Sequence, residues 1–197
     1  MKLTIKRMES EHLPLVDAFS CVETDEMLSH YNSKQRRRIY RHSKEMEDFI
    51  KNEAWLEQTK GLNTTYLLIN TNENDIAGYV SLCNDSIRLD LEERDELNLT
   101  YTTIPAMKIA RLAVSNKYQR LGIGKSLITF SVGIGQKIRN YSGLAFLTLD
   151  CYEHRVSFYE SVGFIKNIIQ PIQLPYDSPI SMRLVLDDYL KKLADEN

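Results

Sequence analysis

No stretch of this chain is apolar for long enough to cross a bilayer: its uninterrupted hydrophobic runs last only a few residues, against the roughly 20 that a spanning helix needs. The segment "MKLTIKRMESEHLP" has no apolar signal core, so the expected location is the cytoplasm. Cysteine is scarce. Cys21, Cys83 and Cys151 are odd in number and lack metal-ligand or Cys-x-x-Cys spacing, which points to buried thiols rather than a disulfide framework or a metal centre. Excess positive charge is lacking too, and a net charge of −2 argues against a generally cationic nucleic-acid binder. No internal repeat, low-complexity tract or flexible linker interrupts the chain.

What is present is a chain of 197 residues, 43% of them hydrophobic, enough to bury one sizeable core and too little for a second independent domain. A single domain over 1–197 is expected, with an N-terminal strand and helical layer over 1–62, a core over 65–165 and a C-terminal strand and helix over 166–197. Charge is unevenly placed. "KQRRRIYRHSK" (34–44) holds six Lys or Arg and no acid, whereas "DLEERDE" (90–96) holds five acids and one Arg. Both read first as solvated surface, although the basic run has the means to meet phosphates locally, because Coulomb attraction acts within a Debye length of about 8 to 10 Å.

Hydrophobic periodicity predicts a mixed succession of α and β elements. "LTIKRM" alternates as a first strand and "HLPLVDAF" is a short helix. Ile39, Met46, Phe49, Ile50 and Leu56 recur at helical spacing between Gln35 and Lys60, giving one long or two shorter helices that end near Gly61. "TTYLLI" and "IAGYVSLC" form a hairpin across "NTNEND", and the acidic stretch after them reads as a loop. "MKIARLAV" suits a buried central strand. A helix from "GKSLITF", a strand "GLAFLTLDC", a short helix "EHRVSFYESV" stopped by Gly163, a strand "FIKNII" and then "SMRLVLDDYLKKL" as strand and helix complete the chain.

The ten residues "YQRLGIGKSL" (118–127) suggest an anion cradle of one of two kinds. A P-loop needs a glycine, then four residues, before Gly124-Lys125-Ser126, so that the backbone can turn round the β-phosphate, and Gln119 stands at that glycine's place instead. The alternative pattern, Gln/Arg-x-x-Gly-x-Gly/Ala, is complete in Gln119-Arg120-Leu121-Gly122-Ile123-Gly124. It lies between a buried strand and a helix, where two glycines let the backbone approach a ligand and N–H groups at the helix N-terminus point at a pyrophosphate. A tight turn without ligand would use the same letters.

With the strand "ARLAV" upstream, the strand "FLTLD" downstream and "SFYESVGF" beyond it, the chain resembles the GCN5-related N-acetyltransferase superfamily, on the regions "KIARLAVSNKYQRLGIGKSL" and "FYESVGF". Within it, Phe19-Ser20-Cys21 and "AGYVSL" are similar to the branch of tRNA-acetylating toxins. The resemblance implies an α/β (α+β) domain with a mixed, mostly antiparallel sheet splayed between "ARLAV" and "FLTLD". It also implies acetyl-CoA as the cofactor and no metal. The backbone of Leu112, Ala113 and Val114 would hold the pantetheine arm, and N–H groups from Gln119, Arg120, Leu121, Gly122, Ile123, Gly124 and Lys125 the pyrophosphate, with charge from Arg120 and Lys125. Tyr159 is implied as the general acid for the departing thiolate. Where relatives carry Asn and Ala before this tyrosine the chain has Tyr152 and Arg155, so Arg155 would reach the adenosine phosphates in place of the Asn contact.

Acetyl transfer from a thioester to an amine requires a positioned donor, a neutral amine, a stabilised oxyanion and a proton for the leaving thiolate. A lysine-like amine is only about one part in two thousand neutral at pH 7, worth roughly 4.6 kcal/mol of barrier. Asp150, Glu153 and His154 lie near the expected cleft, Asp150 and Glu153 reading first as helix-capping or helix-decorating residues, and no base is assigned. The acceptor is read first as a primary amine of a small molecule or a peptide, with the aminoacyl group of a tRNA as the alternative. A second copy of the chain is a further open partner, a membrane is not one, and a non-catalytic acyl-CoA-binding module is the competing class of function.

Overall fold

The computed structural model describes residues 1–170 and 178–195, with side chains as far as Lys191. Part of the expected C-terminal segment, 171–177 and 196–197, lies outside the described residues. The strand order is β1-β2-β3-β4-β5-β7-β6, with β1 Leu3–Arg7, β2 Thr64–Asn70, β3 Asp75–Arg88, β4 Thr103–Val114, β5 Phe146–Cys151, β6 Ile165–Lys166 and β7 Ile180–Val185. The β4–β5 ladder is parallel, and the pairs β1–β2, β2–β3, β5–β7 and β6–β7 are antiparallel. The parallel ladder joins Ala106, Met107 and Lys108 to Phe146, Leu147 and Thr148.

The chain divides into two compact units, Met1–Leu82 with Ala110–Thr129, and Cys83–Ile109 with Phe130–Asn197. In the first, the β2–β3 hairpin turns through Asn74 at φ +52°, a left-handed position that asparagine tolerates, as the Asn/Asp-rich loop predicts. The predicted helical stretch is α2 Ser33–Asp48, a π-helical segment Phe49–Glu53, and α3 Ala54–Thr59, stopped at Gly61. The short helix α1 spans Leu13–Asp17. Asn32 begins α2 with a capping box: its side chain accepts from the N–H groups of Lys34 and Gln35, and Gln35 returns a bond to its backbone. The core of this unit gathers Met8, Val16, Phe19, Phe49, Ile50, Leu67 and Tyr79. Tyr79 is fully buried, edge-on to Phe19 and stacked on Phe49, with its hydroxyl donating to the Met46 carbonyl.

In the second unit the acidic stretch read as a loop is a helix, α4 Leu91–Glu96. Asp90 accepts from the Glu92 N–H and Glu93 returns a bond to the Asp90 backbone, so the acids form a capping box and favour the positive end of the helix dipole. Charge alone gave no sign of this, because two of the acids act as caps. The core beneath includes Ile87, Leu89, Ile104, Ala106 and Phe146. The predicted strand "FIKNII" shrinks to the two residues of β6, whose pairing with β7 ends at Lys166. After β5 come α6 Glu153–Ser161, ended by Gly163 at φ +97°, then β7 and α7 Leu186–Asp195. The remaining helix, α5 Ile123–Arg139, runs through both units.

Candidate active site

β4 ends at Val114, and the Ser115 N–H donates to the Ala77 carbonyl of β3 at 3.0 Å, fixing the point from which the glycine loop departs. A single 3-10 turn follows at Asn116–Tyr118. The chain then passes through two left-handed residues, Arg120 at φ +62° and Gly122 at φ +79°, before α5 begins. The first helical bond runs from the Ser126 N–H to the Gly122 carbonyl at 3.1 Å, so the N–H groups of Ile123, Gly124 and Lys125 have no acceptor within their own helix. Such a chain of left- and right-handed residues ending at a helix N-terminus turns successive N–H groups towards one concavity, which suits a doubly charged pyrophosphate.

The loop passes a test of fit for that group. A Cβ built on Gly122 would meet nothing within 4 Å, so the space before this backbone is open to a ligand. At Gly78 on β3 the reverse holds: a Cβ would lie 2.9 Å from the Ala113 carbonyl oxygen and 3.2 Å from both Ile123 and Leu127. Glycine here lets β3 press against β4 and the first turn of α5.

Leu112, Ala113, Val114 and the seven residues from Gln119 to Lys125 therefore come together in one unit, as a strand end, a loop and a helix start. Gln119 contributes through its side chain, which donates to the Val114 carbonyl at 3.4 Å. Arg120, Leu121 and Lys125 are exposed, Gly124 is half-buried and Ile123 is buried in the helix face. Lys117, just before the loop, is engaged by Glu73 and Asp75.

Tyr159 and Arg155 belong to α6, in the second unit. Tyr159 is 9% exposed and packs edge-on to Phe158 and Phe164, with centroids at 5.0 and 5.7 Å. Burial pushes its phenol well above the usual range, the nearby Cys151 adds to the shift, and Arg155 opposes it. The hydroxyl therefore stays protonated at any physiological pH, as a general acid must. Cys151 shows the same effect on sulfur: burial, helped by Asp150 and Glu153, pushes its thiol up to about 12.

Asp150 does not cap α6. The N-cap is Tyr152, and the Asp150 carboxylate accepts from Lys108 on β4. Glu153 sits in the first turn of α6, the place a helix-decorating acid takes. Thr148, on the same face of β5 as Asp150, donates to Asp85 of β3. This unit thus carries a polar row of Asp85, Lys108, Thr148 and Asp150 that the sequence shows only as scattered letters.

The basic run lies on α2, and its members differ in role. Arg36 is tied to the preceding turn, donating to the carbonyls of Tyr31 at 2.8 Å and Ser29 at 2.9 Å, and Lys44 pairs with Glu47 and Asp48. Lys34, Arg37, Arg38 and Arg41 follow helical spacing along one side, with Arg37 and Arg41 exposed. Among the described residues no group of His, Cys, Asp and Glu is arranged to hold a metal ion, and no helix is long and apolar enough to cross a membrane.

Comparison with known proteins adds to this geometry. The solved structure of AtaT complexed with acetyl-methionyl-tRNAfMet is similar at a TM-score of 0.75 and 18% identity, covering 98% of this chain and 99% of that one. A tyrosine-to-phenylalanine mutant of KacT gives a TM-score of 0.75 at 15% identity, again over 98% and 99%. A mutant AtaT toxin bound to the C-terminus of the antitoxin AtaR and acetyl-CoA gives 0.67 at 17% identity, over 98% and 99%. At such identities the likeness concerns the fold. The sequence itself matches the family described as the acetyltransferase (GNAT) domain over residues 24–173, a span that includes the β4 end, the glycine loop and α6, and on that match the chain belongs to the GNAT acetyltransferase family.

Proposed function

We propose that this protein is an N-acetyltransferase that binds acetyl-CoA on the β4 end and the glycine loop and transfers the acetyl group to the amine of an aminoacyl-tRNA. The observation that carries the donor half is the loop itself, with two left-handed residues, open space before Gly122 and three helix N–H groups without an intrahelical acceptor. Acetyl-CoA supplies an activated thioester. The whole chain is read as one catalytic domain, because the family match runs through both units and β3, β4 and α5 each belong to both.

In this reading the backbone of Leu112, Ala113 and Val114 orients the pantetheine arm, and the N–H groups of the loop hold the pyrophosphate. Arg120, Lys125 and Arg155, all exposed, add charge towards the phosphates. Tyr159 holds a proton on its hydroxyl and donates it to the sulfur as the carbon–sulfur bond breaks. A phenol raised by burial is a weak acid towards an ordinary thiolate, with a thiol pKa near 8.5. A sulfur desolvated beside it would rise in the same direction, which narrows the mismatch.

The acceptor half rests on two supports. AtaT, whose fold this chain shares, was solved with acetyl-methionyl-tRNAfMet. Lys34, Arg37, Arg38 and Arg41 give α2 a cationic side in a chain whose net charge is negative. An aminoacyl amine is less basic than a lysine amine and needs little help from a base. The test is transfer of labelled acetyl from acetyl-CoA to total aminoacyl-tRNA, with Arg37, Arg38 and Arg41 reversed to Glu in the comparison variant. Arg36 is left in place because it braces the turn before α2. Label in the RNA fraction that falls in the variant, by an amount that shrinks as salt rises, is the expected result. No label at saturating acetyl-CoA ends the tRNA reading and returns the acceptor to a small or peptide amine.

A further inference from the structure

Tyr118 immediately precedes the glycine loop and is 4% exposed. Its hydroxyl donates to the Asp75 carboxylate at 2.7 Å and accepts from the Asn70 side-chain amide at 3.0 Å. Asn70 is the last residue of β2 and Asp75 the first of β3, so both partners come from the two sides of one hairpin turn. Lys117 binds the same turn, donating to Glu73 and, at 2.8 Å, to Asp75. Three residues along β3 from Asp75 stands Gly78, against which Ala113, Ile123 and Leu127 are pressed. The first four residues of β3 therefore grip the glycine loop at both ends, at Tyr118 before it and at Ile123 after it.

We propose that Tyr118 is a positioning residue for the donor: through Asp75 and Asn70 it fixes the leading end of the loop, so that the backbone N–H groups between the two grips keep the spacing a pyrophosphate requires. The inference rests on the reading of the loop as a pyrophosphate cradle. A loop held at one end only could still fold, because Gly78 and the helix remain, but its N–H groups would no longer be preorganised and the ligand would have to order them. Burial works against charge on Asp75, yet hydrogen bonds from Lys117 and Tyr118 outweigh it and hold the carboxyl below its usual range, so Asp75 is a firm acceptor at neutral pH.

The experiment measures binding of two donors that share the thioester and differ in the pyrophosphate. Isothermal titration gives the Kd of acetyl-CoA, and protection against thermal unfolding at millimolar concentration gives that of S-acetyl-pantetheine. Tyr118→Phe keeps the ring and removes both hydroxyl bonds. Its affinity for acetyl-CoA should fall about 3- to 10-fold, because part of the free energy of the two lost hydrogen bonds reappears as loop ordering on binding, while that for S-acetyl-pantetheine changes by less than about twofold. Asp75→Ala should reproduce the selective loss, and Asp75→Asn, which still offers Tyr118 an oxygen, should restore most of the affinity. An acetyl-CoA Kd within about twofold of the parent in Tyr118→Phe, or an equal loss for both donors, overturns the positioning role. Gly122→Ala separates the two levels of inference: if it binds acetyl-CoA as the parent does, the cradle reading itself fails, whereas if it binds weakly and Tyr118→Phe binds normally, only the role of Tyr118 fails.

Discussion

Arg183 of β7 and Glu93 of α4 form an ion pair in which each side chain is 4% exposed. The same Glu93 oxygen accepts the Ile168 N–H at 3.0 Å, and its other oxygen accepts the Asp90 N–H at 3.0 Å. Arg183 also donates to Asn167 at 2.8 Å and lies 6.0 Å from the Phe146 ring centroid. One carboxylate thus joins the start of α4, the segment after β6 and the middle of β7. Removing one partner leaves the other charge buried and unpaired, so Glu93→Gln should lower stability by about 3 to 5 kcal/mol. Urea unfolding of the parent and the variant checks this, and a loss below about 1 kcal/mol would mean that water reaches Arg183.

Replacing Tyr159 by Phe keeps the edge-on packing with Phe158 and Phe164 and removes only the hydroxyl. Turnover at saturating acetyl-CoA should fall about 100-fold or more, with the Kd for acetyl-CoA within about twofold of the parent. Steady-state kinetics beside titration calorimetry decide it. Turnover that stays near the parent value would remove the hydroxyl from the reaction.

Asp75 gives the stability a dependence on pH. Its carboxyl is depressed in the folded state, so its contribution is fully present above the ordinary carboxylate value of about 3.9 and is lost as pH falls through the folded value. The melting temperature of Asp75→Asn should therefore lie below that of the parent at pH 7, and the difference should narrow below about pH 4. A difference that is the same at pH 7 and pH 3 would show that the charge of Asp75 contributes nothing.

Cys151 is buried and its thiol is pushed up to about 12, so almost none is thiolate at pH 8. Native protein treated with iodoacetamide at pH 8 and digested should show Cys151 unmodified and Cys83, which is half-buried, modified first. Rapid modification of Cys151 would indicate an opening of the β5–α6 junction.

The strands, the hairpin, the glycine loop and most helices were legible because each has a local cause. Alternation marks β2 and β3, glycine marks the loop, and helical spacing marks α2 and α5. The helix α4 was not legible, because its acids were counted as charge when Asp90 and Glu93 act as caps and Glu93 also meets an arginine 90 residues away. Likewise, nothing near Lys108 in sequence indicates that it pairs with Asp150, and a helix-cap role for Asp150 was the natural local reading. Arg36 illustrates the same limit: four arginines look alike in a string, and only the fold shows that one of them satisfies two turn carbonyls. The loop was readable as a cradle, whereas the grip on its two ends was not, since Tyr118, Asp75 and Asn70 are joined across about 40 residues or more of chain.

The π-helical segment Phe49–Glu53 places one residue more in its turn than an α-helix would use. Phe49, Ile50, Ala54 and Gln58 are all buried across it, so the wide turn keeps the inward sides of α2 and α3 aligned. Deleting the exposed Asn52 would let an ordinary α-helical turn replace the wide one, with Phe49, Ala54 and Gln58 still on one side, whereas the same deletion inside α2 would turn everything after it by about 100° about the helix axis. Gln58, which donates to the Met8 carbonyl at 2.7 Å, keeps its place in the first case and loses it in the second. A frame-preserving loss of one codon is therefore milder within Phe49–Glu53 than in the helix before it, and an alignment that opens a one-residue gap in this stretch preserves the core assignment of Ala54 and Gln58.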